Sequence, residues 1–353
     1  MNYRKLESAR LLKMLDSTSI GELEQKEIKA ILEDRQRRQA KAIAAIEATD
    51  IRQLLRDNNL DWEIHLFPLL VSDSSDVIES SGIEGTVYAH ETLHWPVRID
   101  NMKLLGRFAC TSEKAVMQNK DLIELGLRLA NSENSEVTFA KALGEGESIM
   151  VAILAGTPMQ VGPDRVQRYI YLLDNRTGEH GLRIGFGETN LRCTNQLNFV
   201  NRNAAHTLRH TKTFHGRIES LIESYDALRE EMDVHQQFVQ SLAEHMIEAD
   251  KWDDVKYEFI DLLFNVDLRA DYSNVRVPAG WDKAVLLDDC IEEEAEAIGY
   301  SLWTLLNGVT RMTTHNREQL YPRSEVPGLE SDIAYGKAGE IAAKAYEILQ
   351  TLV

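Results

Sequence analysis

Cysteine is scarce: three in 353 residues, at Cys110, Cys193 and Cys290, with no CxxC pair. That scatter argues against a cysteine-built zinc site and a disulfide scaffold, and it fits a reducing compartment. No apolar run approaches the roughly eighteen residues that a membrane-spanning helix needs, so no membrane partner is expected. The opening stretch MNYRKLESARLLKML lacks the apolar core of a signal peptide, because charges recur every few residues. A Walker loop and a GxSxG elbow are both missing; Gly185-Phe186-Gly187 has neither the lysine nor the strand-turn-helix setting of a phosphate loop. Net positive charge is lacking too. The 39 Lys and Arg face 57 Asp and Glu, a balance of −18 that argues against indiscriminate coating of nucleic acid.

What charge there is falls in blocks. Residues 1–60 carry +2, residues 61–159 carry −8, residues 160–217 carry +5 and residues 218–353 carry −17. The third block is a basic island in an acidic protein, and it leaves room for a phosphate-binding surface. The blocks follow a division into an N-terminal helical extension (1–60), an α+β core (61–217) and an acidic, mainly helical region (218–353).

Hydrophobic periodicity gives the elements. Helices are expected over 4–15, from Ser19 onward with a Ser19/Glu22 capping box, and over 51–56 behind Thr49 or Asp50. Helical spacing fades over 61–110, where 86–89 and 96–99 look extended. A helix follows from Ser112 with Val116, Leu122, Ile123, Leu125 and Leu129 on one face. Strands are expected over 136–143 and 148–154 around Gly144-Glu145-Gly146, then a hairpin of 169–173 and 181–186 about the turn Asp174-Asn175-Arg176-Thr177-Gly178. An extended piece at 190–193 leads into a basic segment expected to be helical. Beyond Arg217 helices dominate, including one long helix over 283–312 and a last one ending near Leu352. The fold class is therefore α+β with a mainly antiparallel central sheet.

Three residue sets could carry chemistry. His90-Glu91-Thr92-Leu93-His94 is an HExxH, which on a helix would bind zinc through His90 and His94 with Glu91 as general base. Glycines before it and Pro96 after it favour a strand instead, so no metal is assigned. His206, His210 and His215 lie in a stretch, 201–217, that holds no carboxylate but several cations, which suits phosphate oxygens better than a metal. Arg168, Arg176, Arg183, Arg192, Arg202, Arg209, Lys212 and Arg217 form a candidate phosphate-holding set, and Tyr169 and Tyr171 could stack on bases. The Glu292–Glu296 run reads as a solvated helix face or a partner surface. No catalytic residue and no cofactor is assigned.

The segments YLLDNRTGEHGLRIGF, Leu191–Asn198 (LRCTNQLN) and Leu208–Ile218 (LRHTKTFHGRI) resemble the phage/plasmid-like family of domain of unknown function 932. Ala115–Leu129, Gly146–Leu154 and Leu302–Asn316 echo it in consistent order. Within those motifs Cys193, Asn195, His210 and Thr211 are the family-motif residues. The resemblance implies a phage or plasmid origin, and so the cytoplasm of a bacterial host cell; it implies no activity. A hairpin sheet backed by a helix is also similar to the core of RecT/Redβ-type single-strand annealing proteins. The expectation is a protein that binds single-stranded nucleic acid, or anneals strands as a homo-oligomer in recombination or replication. An assembly factor using its acidic helices is the other expectation, and a zinc hydrolase is a remote third.

Overall fold

A computed structural model of the chain describes residues 8–15, 21–72, 87–106, 109–132, 135–190, 196–197, 207–223, 225–274, 276–321 and 324–352. In chain order its helices are α1 (Ser8–Leu15), α2 (Glu22–Ala48), α3 (Ile51–Asp57), α4 (Asn119–Ser132), α5 (Ile218–Glu223), α6 (Tyr225–Glu244), α7 (Trp252–Phe264), α8 (Trp281–Ile298), α9 (Leu302–Thr314), α10 (Leu329–Tyr335) and α11 (Lys337–Leu352). Its strands are β1 (Ile64–Ser72), β2 (Val87–Arg98), β3 (Lys103–Leu104), β4 (Cys110–Thr111), β5 (Val137–Leu143), β6 (Ser148–Leu154), β7 (Met159–Val161), β8 (Asp164–Asn175), β9 (Leu182–Asn190), β10 (Gln196–Leu197) and β11 (Thr207–Leu208). The fold is α+β with two antiparallel sheets, one ordered β1-β2-β3 with β4 also on β2, the other ordered β10-β9-β8-β6-β5 with β11 on β9 and β7 on β8. None of the described helices is long and apolar enough to cross a membrane.

Contacts divide the chain into two compact units, and each draws on separate segments. The first holds Met1–Leu154, Tyr171–Ile184 and Arg202–Asp226; the second holds Ala155–Ile170, Gly185–Asn201 and Ala227–Val353. Strands β8 and β9 therefore each pass from one unit into the other.

In the first unit, α4 packs on α2 and on β6. The approach to β6 is close at Gly126, where a Cβ would meet Val151 at 2.9 Å. The helix starts at Asn119 and not at Ser112. Residues 112–118 form a turn and an irregular segment instead: the Gln118 amide bonds both the N–H and the carbonyl of Ile64, and Asn119 Nδ2 donates to the carbonyls of Leu60 and Trp62. These side chains satisfy backbone groups of the incoming β1, which the 112–118 sequence pattern alone does not reveal. The second correction concerns the basic segment. Thr207–Leu208 is a strand, paired through Thr207↔Arg183 and Leu208↔Leu182, and a tight turn with a short 3-10 helix (His215–Arg217) follows. Gly181 makes that pairing possible, because a Cβ there would lie 2.0 Å from the Leu208 carbonyl oxygen. No α-helix forms over 207–217, and His206 itself lies outside the described residues.

In the second unit, α7, α8, α9 and α11 enclose a core around Trp303, Phe259, Leu306 and Val309. The expected long helix over 283–312 is two helices. Gly299, at φ 80°, ends α8 and Ser301 caps α9 by accepting from the Thr304 N–H. Residues Leu302–Thr310 of α9 are buried on all sides. Its polar side chains stay paired, with Thr304 Oγ1 donating to Gly299 O, Asn307 Nδ2 to Trp303 O and Thr313 Oγ1 to Val309 O. Gly308 lets α9 touch α8, since a Cβ there would meet the Ile291 backbone at 2.9–3.0 Å.

Candidate functional site

The turn between β8 and β9 is built from its own side chains. Asn175 Oδ1 accepts from the Thr177 hydroxyl at 2.7 Å and Thr177 Oγ1 accepts from the Glu179 N–H at 3.3 Å. Gly178 supplies the positive φ of 97° that the turn requires. Just before it, Asp174 is fully buried and has two partners: Arg176 Nε at 3.2 Å and His210 Nε2 at 2.8 Å, the imidazole lying off the line of a straight hydrogen bond. Burial by itself would raise the Asp174 carboxyl; the contacts with His210 and Arg176 outweigh it and hold the group below the usual carboxylate range. The His210 ring also stacks on Phe214, centroids 4.6 Å apart.

Above this trio the first unit has a cleft of about 870 Å³, a volume in the range of small-ligand sites. Three segments line it: 109–114, 177–183 and 207–212. Lys114, Arg183, Arg209 and Lys212 contribute four basic side chains against the carboxylates of Glu113 and Glu179. One carboxylate is already engaged, Glu113 with Lys212 at 2.8 Å, and that bond raises the affinity of the Lys212 amine for its proton. Arg183 donates to His180 Nδ1 at 2.6 Å, which fixes that nitrogen as an acceptor. Arg209 is exposed and has no ion-pair partner among the described residues. The lining is therefore cationic in excess, in a concave setting where field lines concentrate.

Of the residues expected from sequence to hold phosphate, Arg183, Arg209 and Lys212 come together here, and Arg217 is exposed just beyond, in the 3-10 turn. Arg176 does not. Its side chain is 3% exposed, locked to Asp174, Met117 O and Asn119 Oδ1, and it faces the Trp62 ring at 5.3 Å. Tyr171 is buried as well, so neither can meet a ligand at the surface. Arg168 and Tyr169 belong to the second unit, where Arg168 donates to Gln236 at 2.9 Å. Arg192, Arg202, Cys193 and Asn195 lie outside the described residues. Of the other family-motif positions, His210 packs against Asp174, and Thr211 is exposed beside Thr213 at 3.3 Å. Sequence reading missed Lys114, Glu113, Cys110 and His180. The first three stand some sixty residues before the hairpin in the chain, and no local pattern marks them.

His90, Glu91 and His94 lie on β2, a strand, so the shared helical face that HExxH zinc binding needs does not exist. His90 Nδ1 instead accepts from the amides of Thr92 and Leu93, at 3.3 and 3.2 Å. Among the described residues no three His, Cys, Asp or Glu side chains converge as metal ligands. The acidic run takes partners within the second unit: Glu292 binds Lys256, and Glu293 and Glu294 bind Arg311.

The family model described as Domain of unknown function (DUF932) matches residues 112–340, well over half of the chain. No curated protein and no solved structure matches it.

Proposed function

The chain belongs to the family of domain of unknown function 932, and from that premise we propose that it is a phage- or plasmid-encoded protein that binds single-stranded nucleic acid through the cleft of its first unit. One observation carries the reading: Arg183 from the hairpin and Arg209 and Lys212 from the later basic segment line one concave surface in an acidic chain. Phosphate oxygens are the ligands such a surface suits, because guanidinium groups grip them through paired N–H donors and the amine adds a point charge. A role in recombination or replication, and action as a homo-oligomer, extend the same proposal. The engagement of Glu292–Glu294 by Lys256 and Arg311 speaks for this reading over one in which the acidic helices recruit a basic partner.

The test is fluorescence anisotropy with a labelled single-stranded oligonucleotide across a salt series. Affinity should fall linearly with salt on a log–log plot, with a slope that counts the phosphates neutralised. The double variant Arg209→Glu/Lys212→Glu should abolish binding with the fold intact. No binding of DNA or RNA even at low salt would end the proposal.

A further inference from the structure

The cleft contains two lysines in opposite circumstances. Lys212 is exposed and tied to Glu113 at 2.8 Å. Lys114 is half-buried, and its Nζ donates at 2.9 Å to the carbonyl oxygen of Arg176. No carboxylate lies within ion-pair distance of Lys114 among the described residues, although Glu113 is its neighbour in sequence. Gly178 lies across from it, close enough that a Cβ there would stand 3.9 Å from Nζ. Cys110 and His210 line the same cleft.

We propose that Lys114 is the reactive amine of this cleft and forms an imine with an aldehyde carried by a phosphate-bearing ligand. The proposal rests on the phosphate-binding reading of the cleft. A charged lysine that serves only as a phosphate anchor belongs at the surface with a carboxylate or water around it, as Lys212 is. A half-buried amine held by one neutral carbonyl, with no carboxylate at ion-pair distance among the described residues, is disfavoured in its charged form, and the free lone pair is what attacks a carbonyl. The direction of its proton affinity agrees: burial pushes the Lys114 amine below the ordinary lysine value, with Cys110 and Asp174 opposing. The cations at Arg183 and Arg209 would hold the ligand's phosphate and so present its aldehyde to Nζ. In the step itself the Nζ lone pair adds to the aldehyde carbon. The carbonyl oxygen leaves as water with the two amine protons, and a C=N bond remains; nothing is oxidised or reduced.

Two sources share this chemistry, a ring-opened abasic site within a DNA strand and a small phosphorylated aldehyde. The full-length protein is therefore incubated with a single-stranded oligonucleotide carrying one abasic site and, separately, with glyceraldehyde 3-phosphate. Cyanoborohydride reduces any imine to a stable amine, and the adduct is located by peptide mass mapping. Adduct on Lys114 in preference to Lys212 supports the proposal, and Lys114→Arg should lower its yield at least tenfold with an unchanged circular-dichroism spectrum. Should that variant not fold, the site mapped on the wild-type chain decides. Trapping by the oligonucleotide places the aldehyde in nucleic acid. Trapping by the small aldehyde alone, with no anisotropy change on intact oligonucleotide, keeps the reactive amine and removes the nucleic-acid reading. Adduct spread over surface lysines, or none on Lys114 from either probe, overturns the inference even if intact oligonucleotide binds.

Discussion

The two compact units treat buried charge in opposite ways. In the second, several buried polar groups are closed off by protein partners. Trp303 Nε1 donates to Asp164 at 2.9 Å, Lys256 sits among Asp288, Glu292 and Asp253, and Asp332 accepts from Tyr321 and from the Ala338 N–H. In the first, the buried trio Asp174, Arg176 and His210 underlies an open cleft whose cations outnumber its carboxylates. Charge in the second unit serves to satisfy itself within a core. Charge in the first is left in surplus at a concave surface, and that surplus is what a ligand can use.

The contrast can be broken from either side. Asp174→Ala should have the largest effect, because it leaves Arg176 buried without its counter-charge; losses of about 3–5 kcal/mol follow when one partner of a buried pair is removed. Chemical denaturation would show it, and a near-neutral result would mean that Arg176 is not committed to the core. Gly308→Ala should come next, at about 1–3 kcal/mol, since the new methyl meets the Ile291 backbone, which has little freedom to retreat. That loss strikes the second unit and should spare the cleft, so oligonucleotide affinity below the melting transition is the readout that separates the units.

The pH dependence sharpens the comparison further. Asp174 has its proton affinity lowered by folding, so its stabilisation is complete above about pH 4, the unfolded value, and is lost as pH falls through the folded one. The second unit should fail at the other end. Burial, aided by Asp332 at Tyr321 and by Glu188 at Tyr346, pushes both phenols up to about 12, and burial takes the Cys290 thiol to about 12 as well. Their stabilisation is complete below the unfolded values of about 10 and about 8.5 and is lost as pH climbs toward the folded ones. Acid melts of Asp174→Asn should lose the acid limb, and alkaline melts of Tyr346→Phe should lose only that tyrosine's share of the alkaline limb, Tyr321 and Cys290 keeping theirs. The smallest stability effect belongs to Arg209→Glu/Lys212→Glu. Both side chains are exposed, so the melting transition should stay in place while binding disappears; a large shift would show that these cations serve the fold.

Much of the local structure was legible in the residues. Asp50 caps α3 through Gln53 N at 3.1 Å, and β5 and β6 flank the Gly144-to-Gly146 turn. The hairpin turn expected over 174–178 comes slightly later, because β8 runs on through Asn175. These features depend on neighbours in sequence, through capping, side-chain alternation and the backbone freedom of glycine. The α+β class followed from them, and the family followed from the motifs themselves. The errors share one cause. Val116 and Leu122 carry helical spacing, yet α4 begins at Asn119 because Gln118 and Asn119 are bonded to β1 and the residues before it. His210 and His215 stand in a loop and a 3-10 turn because Gly181 admits the Leu208 backbone and β11 takes the place of a helix.

The sequence by itself determined the basic island, the hairpin and the surplus of acid elsewhere, since charge and local propensity are properties of residues in order. The tertiary structure alone decided which cations face a ligand. Arg176 and Arg183 stand seven positions apart on one hairpin and look alike in sequence. Burial against Asp174 and Asn119 turned the first into a core residue, and register with Thr207 on β11 put the second on the cleft wall. Whether a charge is neutralised or left in surplus depends on groups brought close from distant parts of the chain. Lys114 reached this cleft by that route, and no pattern along the sequence could have placed it there.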